Sequence, residues 1–272
     1  KPDLVPSDIT KCSDELTYEG ITKIVLKTKD LDLLKNLVNP YIQTLDEKLK
    51  DRPSEKRAVE SVAEMILTKK LREHANFFDE MLTRYNIFSL CKNHKGLNYY
   101  VRHVVLQKSK STDTGIKKVC SFDDGKSADT YYMHIDSKPD SMKILLYMND
   151  TYKDTGSFRY IKGAHLRTSI NELSIREAND QCKWENPHDI EDRLSFFSLP
   201  KEYRKKANFG NDLLSELYPS ESRELIEKES YIEGEAGSMV LFDPDGIHRG
   251  SIFKKKSQRT ILQILLMPKP GK

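Results

Sequence analysis

Beyond Leu97 the sequence breaks into short runs of β-branched and aromatic residues, each closed off by Gly, Pro, Asn or Asp: Tyr99–Leu106, Val119–Phe122, Thr130–Asp136, Met142–Met148, Ser157–Ile161, Ser238–Asp243, Ile247–Phe253 and Arg259–Met267. Eight such segments predict a sandwich or barrel of short strands. The longest apolar runs, Ile144–Met148 and Ile261–Met267, have strand length and fall far short of the roughly 18 residues of a membrane span.

The first third follows a different rule. From Leu31 to Leu49 the residues Leu34, Leu37, Val38, Tyr41, Ile42, Leu45 and Leu49 recur at three- and four-residue spacing, which predicts one apolar stripe on a helix that Pro40 breaks or kinks. A second helical stretch is expected from about Glu55 to Tyr85, interrupted near His74–Asn76. Leu166–Glu229 is polar with weak helical periodicity and reads as an insertion over one end of the sheet. The expected organisation is one domain over residues 1–272. A helical brace (1–97) precedes a β core (98–165 and 230–268), and the insertion or lid (166–229) divides that core. Two charged stretches, Lys108–Lys118 and Asp123–Asp129, read as exposed hairpin ends or, alternatively, as lids.

Composition excludes several classes. A chain of 272 residues buries a core without disulfides or a structural metal, and its 10 Phe and 13 Tyr are too many for general disorder. A net charge of +3 supplies no strong basic field, and Lys254–Lys256 has no aromatic residues interleaved, so nucleic acid is not an expected partner. Cys12, Cys91, Cys120 and Cys182 are scattered without a C-x2-C pair, which argues against a zinc site or a disulfide framework and points to a reducing, cytoplasmic compartment. Lys1–Val5 carry neither an initiator Met nor an apolar signal core, so the sequence reads as a piece of a longer chain.

The chemistry concentrates in three places. His134 and Asp136 stand two residues apart in an aromatic strand, which puts both on one face, within reach of one metal ion. Composition alone predicts about one such pair by chance, so the pair gains meaning only from its surroundings. His248 follows a strand and a tight Asp243-Pro244-Asp245-Gly246 turn, 114 residues downstream, and two histidines with one carboxylate form the facial set of non-haem iron(II). Arg259 opens an apolar strand 11 residues later. Its guanidinium either forks onto a carboxylate or snorkels to water.

These residues resemble the iron(II)- and 2-oxoglutarate-dependent dioxygenases, and among them the phytanoyl-CoA dioxygenase-like group. The resemblance runs from about Tyr99 to Pro268. It rests on His134-x-Asp136, on Thr155-Gly156-Ser157-Phe158-Arg159-Tyr160-Ile161-Lys162-Gly163-Ala164-His165, and on Phe242-Asp243-Pro244-Asp245-Gly246-Ile247-His248-Arg249-Gly250 with Arg259. Lys162 and Ala164 replace the Pro and Ser usual in that group's middle turn.

The resemblance implies an α+β chain with a mainly β core, a double-stranded β-helix (a jelly-roll of cupin type) with N-terminal bracing helices and a helical insertion. It implies iron(II) held by His134, Asp136 and His248, with 2-oxoglutarate as cosubstrate and O2 as oxidant. Arg259 takes the distal carboxylate of 2-oxoglutarate. The implied reaction hydroxylates a C–H bond of a small polar or carrier-linked metabolite and releases succinate and CO2. An intact Asp136 favours hydroxylation over halogenation and leaves desaturation, epimerisation and ring closure open. A catalytically silent jelly-roll used as a binding module is the alternative from another class.

Tyr132 shares a face with His134 and either contacts a cosubstrate carboxylate or packs as an aromatic. Asn149, Arg102 and Gln263 are further cosubstrate candidates. His165, Arg167, Trp184 and Arg249 are candidates for meeting a substrate at the mouth. His74, His94, His103 and His188 have no partner at ligand spacing and read as structural or solvated. Oligomeric state has no sequence signal.

Overall fold

A computed structural model describes residues 6–50, 58–61, 69–110, 136, 140–166, 227–251 and 257–270. Among them the helices are α1 (Pro6–Glu19), α2 (Thr28–Lys50), α3 (Lys69–Arg84) and α4 (Ile87–Lys95). The strands are β1 (Ile21–Val25), β2 (Ala58–Ser61), β3 (Tyr99–Lys110), β4 (Met142–Tyr147), β5 (Phe158–Ile161), β6 (Glu229–Ile232), β7 (Ser238–Phe242), β8 (His248–Arg249) and β9 (Gln258–Pro268).

Two antiparallel sheets result, a large one in the order β1-β7-β4-β9-β3-β2 and a small one in the order β6-β5-β8. β9 sits at the heart of the large sheet, pairing with β3 from Gln258↔Lys110 to Pro268↔Tyr99 and with β4 from Ile261↔Tyr147 to Leu266↔Met142. Alternation then sorts side chains onto two faces. Ile144, Leu146, Met239, Leu241, Leu262, Ile264 and Leu266 join Leu16, Leu34, Phe78, Leu82 and Leu90 of the helices in one apolar core. Leu145, Tyr147, Val240, Phe242 and Ile261 face the other way and meet Phe158 and Tyr160 of the small sheet. This is the two-sheet jelly-roll with its helices braced against the outside of the large sheet.

The strand pattern read from the sequence holds for β3, β4, β5, β7 and β9, with ends moved by a few residues. β3 continues to Lys110, so Lys108 is a buried strand residue paired with Asp46 at 2.5 Å rather than part of a loop. The rest of Lys108–Lys118, all of Asp123–Asp129 and the strand Val119–Phe122 lie outside the described residues.

The expectation for the first third needs correction. Gly20, at φ +76, ends α1, and Ile21-Thr22-Lys23-Ile24-Val25 forms β1 along the edge of β7. Residues 58–61 are a strand, not helix. They take the free edge of β3, and an available edge outweighs the propensity of a four-residue segment. α3 then runs through His74–Asn76 without interruption. Pro40 lies inside α2 and does not end it; the residue is exposed, so water can satisfy the carbonyl that its missing N–H leaves behind. In the C-terminal half the insertion gives way to β6 from Glu229 onward. No described helix is long and apolar enough to cross a membrane.

Candidate active site

The turn before β8 builds the site. Phe242 ends β7, and the chain reverses through Asp243-Pro244-Asp245-Gly246 to present His248 at the start of β8. Asp136 reaches the same place from the other motif, because its backbone N–H donates to the Pro244 carbonyl at 3.0 Å. Its Oδ2 is buried and lies 3.8 Å from His248 Nε2. His248 Nδ1 is 2.8 Å from the Gly246 carbonyl, which can only accept, so Nδ1 carries the proton and Nε2 presents its lone pair toward the carboxylate.

The Lys143 ammonium already rests 2.5 Å from Asp136 Oδ2, so this pocket accommodates a cation. A buried carboxylate oxygen and an imidazole lone pair aimed at it are donors that a divalent metal takes, and these residues fit one once the ammonium gives way. Among the described residues no third histidine, cysteine or carboxylate completes a metal cluster. His134 and Tyr132 lie outside the described residues.

The His248 ring is fixed by aromatic neighbours. Phe242, Phe158 and Tyr160 have centroids 5.3, 5.5 and 6.5 Å away, and Tyr160 is stacked at 18°. Tyr160 is held in turn by its hydroxyl, which donates to the Asp243 carbonyl at 2.9 Å. Gly246 is required here, because a Cβ at that position would run into the Tyr160 hydroxyl.

Behind the turn, the buried Asp243 carboxylate is gripped by the last turn of α4. His94 Nε2 lies at 2.9 Å, Lys95 Nζ at 2.6 Å, and the Asp245 N–H donates to its second oxygen at 3.0 Å. Burial alone would raise this carboxyl. The bonds from His94 and the charge of Lys95 outweigh burial and bring its pKa to about 2.

Arg259 is buried on β9, opposite Ser109 of β3, and its Nη1 donates to the Gly156 carbonyl. The side chain therefore points into the molecule and does not snorkel. Nearby Tyr147 is fully buried, and burial pushes its phenol up to about 12. Ser157 and Ser251 carry buried hydroxyls with no hydrogen-bond partner among the described residues.

The other sequence candidates divide. Gln263 is half-buried and donates to Gln107 Oε1 at 3.3 Å, so it belongs to a polar strip on the inner face of β3 and β9. Asn149 serves the backbone, accepting from the Thr260 N–H at 2.7 Å and donating to the Asp150 carbonyl at 2.8 Å. Arg102 is exposed at the β-bulge between Val101 and His103, which shifts the alternation and takes it out of the site. Arg249 forks onto Glu229 at 2.5 and 2.7 Å, and Arg159 shares that carboxylate at 3.0 Å. His165 lies against His94, with centroids 5.4 Å apart, and its Nε2 is 3.2 Å from the Thr17 carbonyl. Burial lowers the His165 pKa. Arg167 and Trp184 lie outside the described residues.

Sequence reasoning read His94 as structural or solvated and did not single out Lys143 or Lys95. Lys143 lies in an apolar run, and nothing in that run announces its contact with Asp136. His94 meets Asp243 only across 149 positions, and no local spacing announces that contact.

No curated protein sequence matches the chain closely enough to count as a relative. Solved structures do. AviO1 from Streptomyces viridochromogenes Tue57 has a TM-score of 0.54 at 10% identity, covering 98% of each chain. The non-heme alpha-ketoglutarate-dependent carbocyclase SnoK from nogalamycin biosynthesis has a TM-score of 0.53 at 12% identity, covering 98% of this chain and 87% of its own. HygX from Streptomyces hygroscopicus, with nickel and 2-oxoglutarate bound, has a TM-score of 0.51 at 14% identity, covering 99% and 89%. At such identities the likeness bears on the fold alone. The family model described as phytanoyl-CoA dioxygenase (PhyH) matches residues 25–259, which include Asp136, His248 and Arg259, and the chain therefore belongs to that family of iron- and 2-oxoglutarate-dependent oxygenases.

Proposed function

We propose that this chain, acting as one domain, hydroxylates a C–H bond of a small polar or carrier-linked metabolite. His134, Asp136 and His248 hold iron(II), and Arg259 binds the distal carboxylate of 2-oxoglutarate. The observation that carries the reading is the approach of Asp136 Oδ2 to His248 Nε2 at 3.8 Å, with Nδ1 engaged behind the ring. Iron with 2-oxoglutarate and O2 supplies the oxidation, releasing succinate and CO2.

The chain's own residues supply position. The Gly246 carbonyl keeps the proton on Nδ1, so that Nε2 keeps its lone pair free for a metal. Phe158, Phe242 and Tyr160 exclude water from one side of the imidazole. Arg259, buried beside Tyr147, offers a guanidinium fork in surroundings that strengthen its pairing with a carboxylate. An intact Asp136 favours hydroxylation over halogenation. The carbocyclase name of SnoK makes ring closure the reaction against which hydroxylation has to be tested.

Anaerobic titration of the protein with Fe(II) and 2-oxoglutarate tests the assignment. We expect the visible charge-transfer band of a chelated keto acid, lost in His134→Ala and weakened about tenfold or more in 2-oxoglutarate affinity in Arg259→Gln. A folded, metal-loaded protein without the band would overturn it. Mass analysis of product from a substrate screen scored by succinate then separates hydroxylation, a gain of one oxygen, from ring closure, a loss of two hydrogens.

A further inference from the structure

Lys143 is the one basic residue of β4 (Met142-Lys143-Ile144-Leu145-Leu146-Tyr147). Leu145 and Tyr147 face the space between the sheets, whereas Ile144 and Leu146 face the helices, so alternation turns Lys143 inward. It stands beside Phe242 of β7 and Leu265 of β9 in the register. A charge on this wall is costly unless it is paired. Its partner is Asp136 Oδ2 at 2.5 Å, the same oxygen that faces His248 Nε2.

We propose that Lys143 is the internal counter-cation of the metal site: its ammonium neutralises Asp136 in the metal-free protein and is displaced from that oxygen when the metal binds. The inference rests on the reading of Asp136 and His248 as ligands. A metal bonded to Oδ2 would lie about 2 Å from it. An ammonium in contact with the same oxygen would then be within about 5 Å of a divalent charge, a repulsion that the half-buried position of both side chains screens only in part. Had the ammonium touched only the other carboxylate oxygen, it could have stayed as an outer support. Lysine suits displacement, since its four-carbon stem is flexible and its point charge requires no fixed fork. Metal affinity is therefore lower than the ligand set alone would give, and the metal-free site carries no uncompensated carboxylate.

Equilibrium titration of the full chain with Mn(II), without cosubstrate or oxygen, tests this together with the melting temperature of the metal-free protein. Lys143→Met should bind Mn(II) about tenfold more tightly than the unaltered protein, the scale of one partly buried ion pair, and should melt lower when metal-free. Lys143→Arg, which keeps the charge, should bind no more tightly than the unaltered protein. If Lys143→Met does not fold, Lys143→Gln carries the same expectation. Equal or weaker Mn(II) binding in the neutral variants would overturn the proposal while leaving the ligand assignment intact. Absence of Mn(II) binding in the unaltered protein and every variant would overturn the ligand assignment, and this proposal with it.

Discussion

The two faces of the large sheet come from the same strands and do opposite work. Toward the helices, Ile144, Leu146, Met239, Leu241, Leu262, Ile264 and Leu266 form an apolar layer, each fully buried. Toward the small sheet, the intervening positions include Lys143, Arg259 and Gln263 among Leu145, Tyr147, Val240 and Phe242. One face stores stability, at about 1.5–3 kcal/mol for each large apolar side chain buried. The other spends part of its area on charge and hydrogen bonding. A period of two lets one strand serve both purposes, and a slip of one residue would exchange them.

Substitutions on the two faces should therefore separate. The largest effect belongs to the inner side: His248→Ala should weaken metal binding more than about 100-fold in a Co(II) titration while leaving the melting temperature of the metal-free protein nearly unchanged. Leu146→Ala on the helix side should do the reverse, lowering stability by about 2–5 kcal/mol in urea unfolding with metal affinity preserved. If both properties fell together in both variants, the division between the faces would be wrong.

Asp243 sharpens the comparison because it joins the site to the helices. Its pKa is depressed to about 2, so the stability it contributes is full above the ordinary carboxylate value near 3.8 and is lost as pH falls through about 2. That corresponds to about 2 kcal/mol. The stability gap between the unaltered protein and Asp243→Asn should be widest at neutral pH and shrink between about pH 4 and pH 2 in acid-unfolding curves. A constant gap would show that the charge is not what α4 grips. The smallest effect is expected at Gln263→Leu, which removes one long hydrogen bond of the inner strip and should cost less than about 1.5 kcal/mol in the same assay.

The sequence was most legible where a residue's own neighbours decide its state. β4, β7 and β9 are apolar runs bounded by turn residues, and they lie where those runs lie. The short distance between Asp136 and His248 likewise agrees with two motifs 112 residues apart meeting at one turn. What stayed hidden depends on distant partners. β2 is a strand because β3 offers it an edge, and Arg102 leaves the inner face because a bulge shifts the register by one. Lys143 and His94 acquire meaning only from carboxylates elsewhere in the chain.

The grip of α4 on Asp243 sets how far this protein can be trimmed. A chain begun at Leu97 would retain β3 through β9 but lose His94 and Lys95, leaving behind the Asp243–Gly246 turn a buried carboxylate stripped of two of its three partners. It would also lose β1, uncovering the edge of β7 just where Phe242 leads into that turn. The helical third is thus part of the catalytic body rather than packaging around it, and a minimal barrel would have to be redesigned at Asp243 before it could stand alone.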